Sequence, residues 1–110
     1  MKTKLFVASV LAVFAMGAQS AQYKDGSYVG QGDGNASVIQ VQVDIKGGKI
    51  ADVKVLKHDE TEMIIAAPIE MMLPEIVANN GVDNVEAVAG ATMSSNGIKA
   101  AVLDALKKAQ

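Results

Sequence analysis

Apolar and polar residues alternate along residues 38–56, and this alternation is the clearest structural signal in the chain. One face of the first half collects four apolar side chains: Ile39, Val41, Val43 and Ile45. Gly47 and Gly48 follow directly, as in the two-residue turn of a β-hairpin, and the alternation then resumes. The pattern therefore predicts an antiparallel hairpin over residues 38–56.

Two shorter segments also have strand character. Residues 23–34 are rich in glycine around Tyr28 and Val29, which predicts a short strand flanked by turns. Gly32 and Gly34 are either turn residues or positions where the strand passes close to a ligand. Residues 82–88 are predicted to form a further short strand.

Apolar residues take a spacing of three and four over residues 63–80, which predicts helical structure. Pro68 and Pro74 interrupt this segment, so they either start separate short helices or kink a single one. Asn80 and Gly81 are typical of a helix C-terminus followed by a turn.

The C-terminal segment predicts an amphipathic helix from five apolar residues: Ile98, Ala101, Val102, Ala105 and Leu106. Ser94 or Ser95 is its expected N-cap, and Lys107 and Lys108 lie favourably near its C-terminal end. Strands come first and helices later, so the fold class is α+β. We expect a small antiparallel sheet with a central hairpin, packed against two or three helices.

The N-terminal residues carry the pattern of a secretory signal peptide. Lys2 and Lys4 precede an apolar run over residues 5–16, and Ala18 and Ser20 suit a signal peptidase. The alternative is an uncleaved anchor, but this run rises only about 18 Å as a helix, against about 30 Å of hydrocarbon in a bilayer. We expect residues 1–20 to be removed, leaving one domain over residues 21–110 in the periplasm or another extracytoplasmic space.

Composition excludes several classes of function. The chain has no cysteine, so it has no disulfide partner and no thiolate, iron–sulfur or c-type haem ligation. Its net charge is −2, and all its basic residues are lysines, so it lacks the basic surface that nucleic-acid binding requires. His58 stands beside Asp59 and Glu60, but one histidine with adjacent carboxylates is a poor ligand set, and we predict no metal site.

The candidate chemistry lies in residues 85–97, where small residues and hydroxyls precede the last helix. Gly90 and Ala91 would let a bulky ligand approach the backbone, and a helix N-terminus suits a phosphate. Thr92, Ser94 and Ser95 add hydroxyls for hydrogen bonding or attachment. The purely structural alternative is that the serines cap a helix and Gly90 makes a turn.

Three stretches of the chain resemble the FMN-binding domain family, which occurs in flavin subunits of sodium-pumping NADH–quinone reductases and in periplasmic fumarate-type reductases. Residues 25–34 are similar to the family's glycine-rich opening strand. Residues 41–61 resemble its hairpin and the His-x-Glu-Thr segment that follows, and residues 85–102 resemble its attachment motif and helix.

The resemblance implies FMN as the cofactor and Thr92, behind Gly90 and Ala91, as its phosphoester attachment point. A magnesium-dependent flavin transferase that uses FAD installs the group in that family. The motif's acidic position falls on Glu86 instead of Asp, and its Ser/Thr position falls on Ala89. Tight non-covalent FMN binding at the same place is the close variant.

The resemblance further implies that Glu60 and Thr61 lie near the flavin. The methionines at 63, 71, 72 and 93 either line its pocket or belong to the core, the second reading being preferred for Met72. The expected role is that of an electron carrier or redox subunit, not a complete enzyme. Its partner would be a cytochrome, a quinol-linked complex or a reductase. The alternative is a non-catalytic FMN-binding or regulatory module.

Overall fold

Residues 23–110 are described here from a computed structural model. The elements follow the order β1 (Gly26–Asp33), β2 (Val38–Lys46), β3 (Lys49–Lys57), α1 (Glu62–Asn79) and α2 (Thr92–Lys108). This is the predicted α+β class, with two helices. The expected signal peptide, residues 1–20, lies outside the described residues. Neither helix of residues 23–110 has the length and apolar character needed to cross a bilayer.

The predicted hairpin is confirmed. β2 and β3 pair antiparallel through a turn at Gly47 and Gly48, whose φ angles of 63° and 79° are both positive. Two successive positive φ angles define the type I′ turn, whose twist matches that of the flanking strands, and glycine adopts them without strain. β1 pairs antiparallel with the other side of β2, giving the order β1-β2-β3.

Both helices cover the same face of the sheet. α2 packs over β1 and β2, whereas α1 packs over β3. The apolar residues predicted for one face of β2 are all buried, together with Ile98, Val102 and Leu106 of α2. The fold is therefore two layers around one core, and it brings the N-terminus of α2 beside the turn between β1 and β2.

Glycines in β1 allow α2 to lie unusually close to the sheet. A Cβ atom on Gly32 would clash with the Gly97 carbonyl oxygen and lie 2.6 Å from the Ala101 nitrogen. A Cβ on Gly30 would meet the backbone of α2 in the same way. Neither sequence-based interpretation of Gly32 accounts for this, since it lies inside a strand and faces a helix. The contact fixes the height of α2 above the sheet.

The two prolines do not start separate helices, because both lie within a single helix. α1 runs from Glu62 to Asn79 with Pro68 and Pro74 inside it. Its end is as predicted: Asn80 has the left-handed φ of 57°, and the Gly81 N–H donates to the Ile76 carbonyl. These contacts satisfy the last carbonyls of the helix.

Two predictions for the following segment are wrong. Residues 82–88 form turns and loop instead of a strand. A hydrogen bond links this segment to α2, because the Lys99 ammonium donates to the Val85 carbonyl at 2.7 Å. Neither Ser94 nor Ser95 is the N-cap of α2. The helix begins at Thr92, one turn earlier, with Ala91 at the cap and no side-chain capping bond. The two serine hydroxyls have other partners, described below.

Candidate functional site

A cleft of about 330 Å³ lies at the N-terminus of α2, within the size range of small-ligand sites. Residues 90–94 supply most of its wall, and the β1–β2 turn and α1 supply the rest: Asn35, Ile64, Gly90, Ala91, Thr92, Met93 and Ser94. Four of the predicted site residues therefore line one cleft.

Thr92 is the first residue of α2, and its side chain is exposed. Gly90 precedes it with a φ of 85° and open space where a Cβ would stand. This backbone conformation favours glycine, and it turns the chain into the helix without placing a side chain over Thr92. The Thr92 hydroxyl is accessible to a reagent or a ligand from the cleft side.

Backbone donors at the start of α2 are also available. The first helical hydrogen bond runs from the Ser95 N–H to the Ala91 carbonyl at 2.9 Å. The N–H groups of Thr92, Met93 and Ser94 come before that bond, so they have no acceptor within the helix. Such groups, together with the positive end of the helix dipole, favour an anion.

The two serines of the first turn are buried and engaged. The Ser94 side chain donates to Glu60 Oε1 at 2.7 Å, and Ser94 is 1% exposed. Ser95 is 0% exposed, and its hydroxyl oxygen accepts from the Val88 N–H at 3.0 Å. Ser94 therefore links the helix to the β3–α1 connection, and Ser95 links it to the loop that precedes α2. Thr92 is the exposed hydroxyl of the three.

Glu60 is the centre of a hydrogen-bond network behind the cleft. Glu60 is only 6% exposed, and its two carboxylate oxygens accept four hydrogen bonds. The donors are the backbone N–H groups of Asn35 and Ala36, each at 2.7 Å, and the hydroxyls of Ser37 and Ser94. Gly34 makes room, because a Cβ there would lie 2.6 Å from Glu60 Oε1.

The network keeps Glu60 ionised. Burial raises the pKa of this carboxyl, but the hydrogen bonds from Ser94, Asn35, Ala36 and Ser37 outweigh burial and lower the pKa from 4.5 to about 2. One buried negative charge thus holds the β1–β2 turn, the β3–α1 connection and α2 together. This carboxylate faces inward and supports the cleft wall, which the sequence did not indicate.

The residues next to Glu60 have separate structural roles. Thr61 is the exposed N-cap residue of α1 without a side-chain capping bond, and it does not line the cleft, although Ile64 one turn later does. His58 Nδ1 accepts from the Glu60 N–H at 3.0 Å, and its Nε2 lies 3.3 Å from Glu62 Oε1. Within residues 23–110 no three His, Cys, Asp or Glu side chains are grouped to hold a metal ion.

Glu86 and Thr92 line different clefts. Glu86 and Ala89 are both exposed, and they line a second cleft of about 560 Å³ whose other wall is α1. Asn84 and residues 86–89 thus face the second cleft, and residues 90–94 face the first. The two positions where the sequence departs from the attachment motif therefore line the second cleft.

Sequence reasoning missed two residues of the first cleft. Asn35 lies in the turn after β1, and Ile64 lies in the first turn of α1. The polar break before residue 63 could have indicated that a helix starts there, but not which cleft it faces. Of the methionines, Met93 lines the first cleft and Met71 the second; Met72 also borders the second cleft but is 1% exposed and belongs to the core, as preferred.

The first cleft fits a flavin mononucleotide at its phosphate end. Three free N–H groups and an exposed hydroxyl suit a phosphate ester, and Ile64 and Met93 offer apolar surface beside them. A family model described as an FMN-binding domain matches residues 34–107, which is more than half of the chain. The matched range contains the Glu60 network and both clefts. The protein therefore belongs to the FMN-binding domain family and is a flavoprotein whose cofactor is FMN.

Proposed function

We propose that FMN is attached to this protein through a phosphoester at Thr92, and that the loaded protein carries electrons outside the cytoplasm. The observation that carries the proposal is the contrast among three neighbouring hydroxyls. Thr92 is exposed in the cleft, whereas Ser94 and Ser95 are buried and hydrogen-bonded.

The attachment step is a phosphoryl transfer from FAD. The Thr92 Oγ forms a bond to the phosphorus on the FMN side of the FAD pyrophosphate, and the bond from that phosphorus to the bridging oxygen breaks. AMP leaves, and the hydroxyl proton is released. A magnesium-dependent flavin transferase would supply the catalysis, so this chain needs no acid–base pair of its own.

After attachment, the chain's own residues would hold and orient the cofactor. The free N–H groups of Thr92, Met93 and Ser94 would donate to the phosphate oxygens. Ile64 and Met93 would contact apolar parts of the flavin, with sulfur as a polarizable neighbour. FMN supplies the electron-transfer chemistry when bound. The partner would be a cytochrome, a quinol-linked complex or a reductase.

The test of attachment is the mass of the denatured protein. The full-length precursor is expressed with a flavin transferase, and the product is unfolded and weighed. We expect a gain of one FMN less one water, and no gain in Thr92→Ala. A yellow native protein that loses all its flavin on unfolding would instead support non-covalent binding.

Export is tested in the same material. The signal pattern of residues 1–20 supports secretion, and cleavage would leave a mature chain that begins at Ala21. We expect the flavinylated protein in the periplasmic fraction with that N-terminus. An intact N-terminus in the cytoplasmic fraction would contradict the extracytoplasmic role.

A second candidate is a regulatory module that binds FMN without a covalent bond. The changes at Glu86 and Ala89 favour it, because these positions belong to the attachment motif of the family. Such a protein would copurify with FMN at unmodified mass, and Thr92→Ala would leave the flavin content largely unchanged.

A further inference from the structure

The second cleft has two walls that are distant in sequence. One wall is the loop that precedes α2, with Glu86 and Ala89. The other is α1, with Met71 and Glu75. Since Thr92 lies in the first cleft, Glu86 and Ala89 do not line the cleft in which FMN would be held. A motif residue that is exposed there is available to an external partner.

The α1 wall has the character of a contact surface. The helix carries three glutamates and no lysine or arginine, and most of its other residues are apolar; of the three glutamates, Glu75 lines this cleft. Met71 is 62% exposed at the cleft. The ion pairs found in residues 23–110, Lys54–Asp52 and His58–Glu62, engage neither Glu75 nor Glu86. The cleft therefore combines an exposed flexible apolar side chain with two acids free of ion pairing.

We propose that the flavin transferase docks in this second cleft, where Met71 and Glu75 of α1 extend the docking surface beyond the linear motif to a distant part of the chain. The inference rests on the proposed attachment of FMN at Thr92. Residues 86–89 line the second cleft and residues 90–94, which follow directly in the chain, line the first, so an enzyme held against residues 86–89 is close to the Thr92 hydroxyl. The complementary surface of the enzyme carries lysine or arginine opposite Glu75 and Glu86, and an apolar contact for Met71.

A second copy of this chain is a less suitable occupant. Docking through the same cleft would place its acids against these acids, which is unfavourable. An anionic lipid surface would meet the same repulsion. A basic enzyme surface is the occupant that the charges favour.

The test measures how fast FMN is added. The mature chain, a purified flavin transferase, FAD and Mg²⁺ are mixed, and intact mass is followed over time at low and high salt. We expect Glu75→Lys to load about tenfold more slowly at low salt, with a smaller difference at high salt. Glu70→Lys is the matched control, because it makes the same charge change in the same helix but lines a different cleft with β3. It should load within about twofold of the wild-type rate.

A second variant separates docking from folding. Met71→Ala removes an exposed side chain, keeps helix propensity and should also slow loading, while its thermal unfolding midpoint stays at the wild-type value. Fully loaded Glu75→Lys should show the wild-type flavin absorption, since Glu75 does not line the Thr92 cleft.

The outcomes are distinguishable. Loading of Glu75→Lys and Met71→Ala at the wild-type rate would overturn the docking surface and leave attachment at Thr92 intact. Equal slowing by Glu70→Lys would overturn it as well, because the effect would then come from net charge and not from this cleft. A wild-type chain that never gains mass would overturn the attachment itself, and the docking proposal with it.

Discussion

The Ser94 hydroxyl donates a 2.7 Å hydrogen bond to Glu60 Oε1 across 34 positions of sequence. This buried contact links the connection before α1 to the first turn of α2, where Thr92 is presented. The same carboxylate also binds the β1–β2 turn, because it accepts hydrogen bonds from the N–H groups of Asn35 and Ala36. The geometry of the cleft therefore depends on one charged side chain that does not itself line it.

Glu60→Gln should destabilise the fold. An amide nitrogen cannot accept hydrogen bonds, so at least one backbone N–H at Asn35 or Ala36 would face another donor in a partly buried position. We expect a loss of about 2 kcal/mol in the free energy of unfolding at pH 7, measured by urea denaturation. Glu62→Gln is the control: its carboxylate is exposed in a pair with His58, and the change should cost less than about 1 kcal/mol. Equal losses in both variants would contradict the network.

The free energy of unfolding should fall as the pH is lowered, over a pH range that the pKa of Glu60 determines. The folded-state pKa of Glu60 is lowered from 4.5 to about 2, so the ionised carboxylate favours the folded state. Its contribution is fully present above pH 4.5, decreases as the pH falls and is lost below about 2. The difference in unfolding free energy between wild type and Glu60→Gln should therefore narrow between those values. Denaturation at several pH values measures it, and a difference that widens in acid would contradict this account.

Gly32→Ala should disturb the packing of α2 on the sheet. The added methyl group would meet backbone atoms of Gly97 and Ala101, which cannot move aside as a flexible side chain can. We expect a loss of about 3 kcal/mol or more in the free energy of unfolding. Gln31→Ala, at the neighbouring exposed position of β1, keeps its backbone bond to Asp104 and should change stability by less than about 1 kcal/mol. A well-tolerated Gly32→Ala would mean that α2 lies farther from β1 than described.

Flavin should not move to a neighbouring hydroxyl when Thr92 is removed. Ser94 and Ser95 are 1% and 0% exposed, and both hydroxyls are hydrogen-bonded. Thr92→Ala should therefore show no FMN on either serine in peptide mass mapping, whereas Thr92→Ser should still load. FMN on Ser94 in Thr92→Ala would show that the first turn of α2 opens during loading.

Local patterns were sufficient for most of the fold. The alternation of residues 38–56 and the Gly47–Gly48 turn predicted the hairpin, because strand periodicity and turn chemistry are properties of neighbouring residues. The spacing of Ile98, Ala101 and Val102 likewise predicted α2. The prediction of a strand at residues 82–88 was wrong because a strand needs a neighbouring strand, which local sequence does not specify. This segment instead forms hydrogen bonds with Lys99 and Ser95 of α2.

The site was predicted less completely. Residues 90–92 and Ser94, which the sequence singled out as candidate cofactor-binding residues, line one cleft, since they are close together in the chain. The resemblance implied that Glu60 and Thr61 lie near the flavin, but it did not indicate that the Glu60 carboxylate supports the cleft from behind. Asn35 and Ile64 reach the cleft from other elements, and no local signal specified this.

The sequence by itself determined the three strands and the two helical segments, though not the loop at residues 82–88, and it marked Thr92 as the candidate attachment hydroxyl on a small-residue turn. Only the tertiary structure decided which hydroxyl of α2 is accessible and that Glu86 lies on a different cleft from Thr92. The physical reason is the range of the interactions. Periodicity and turn preference act over a few residues, whereas burial and the bonds to Glu60 depend on segments that meet only when the helices pack on the sheet.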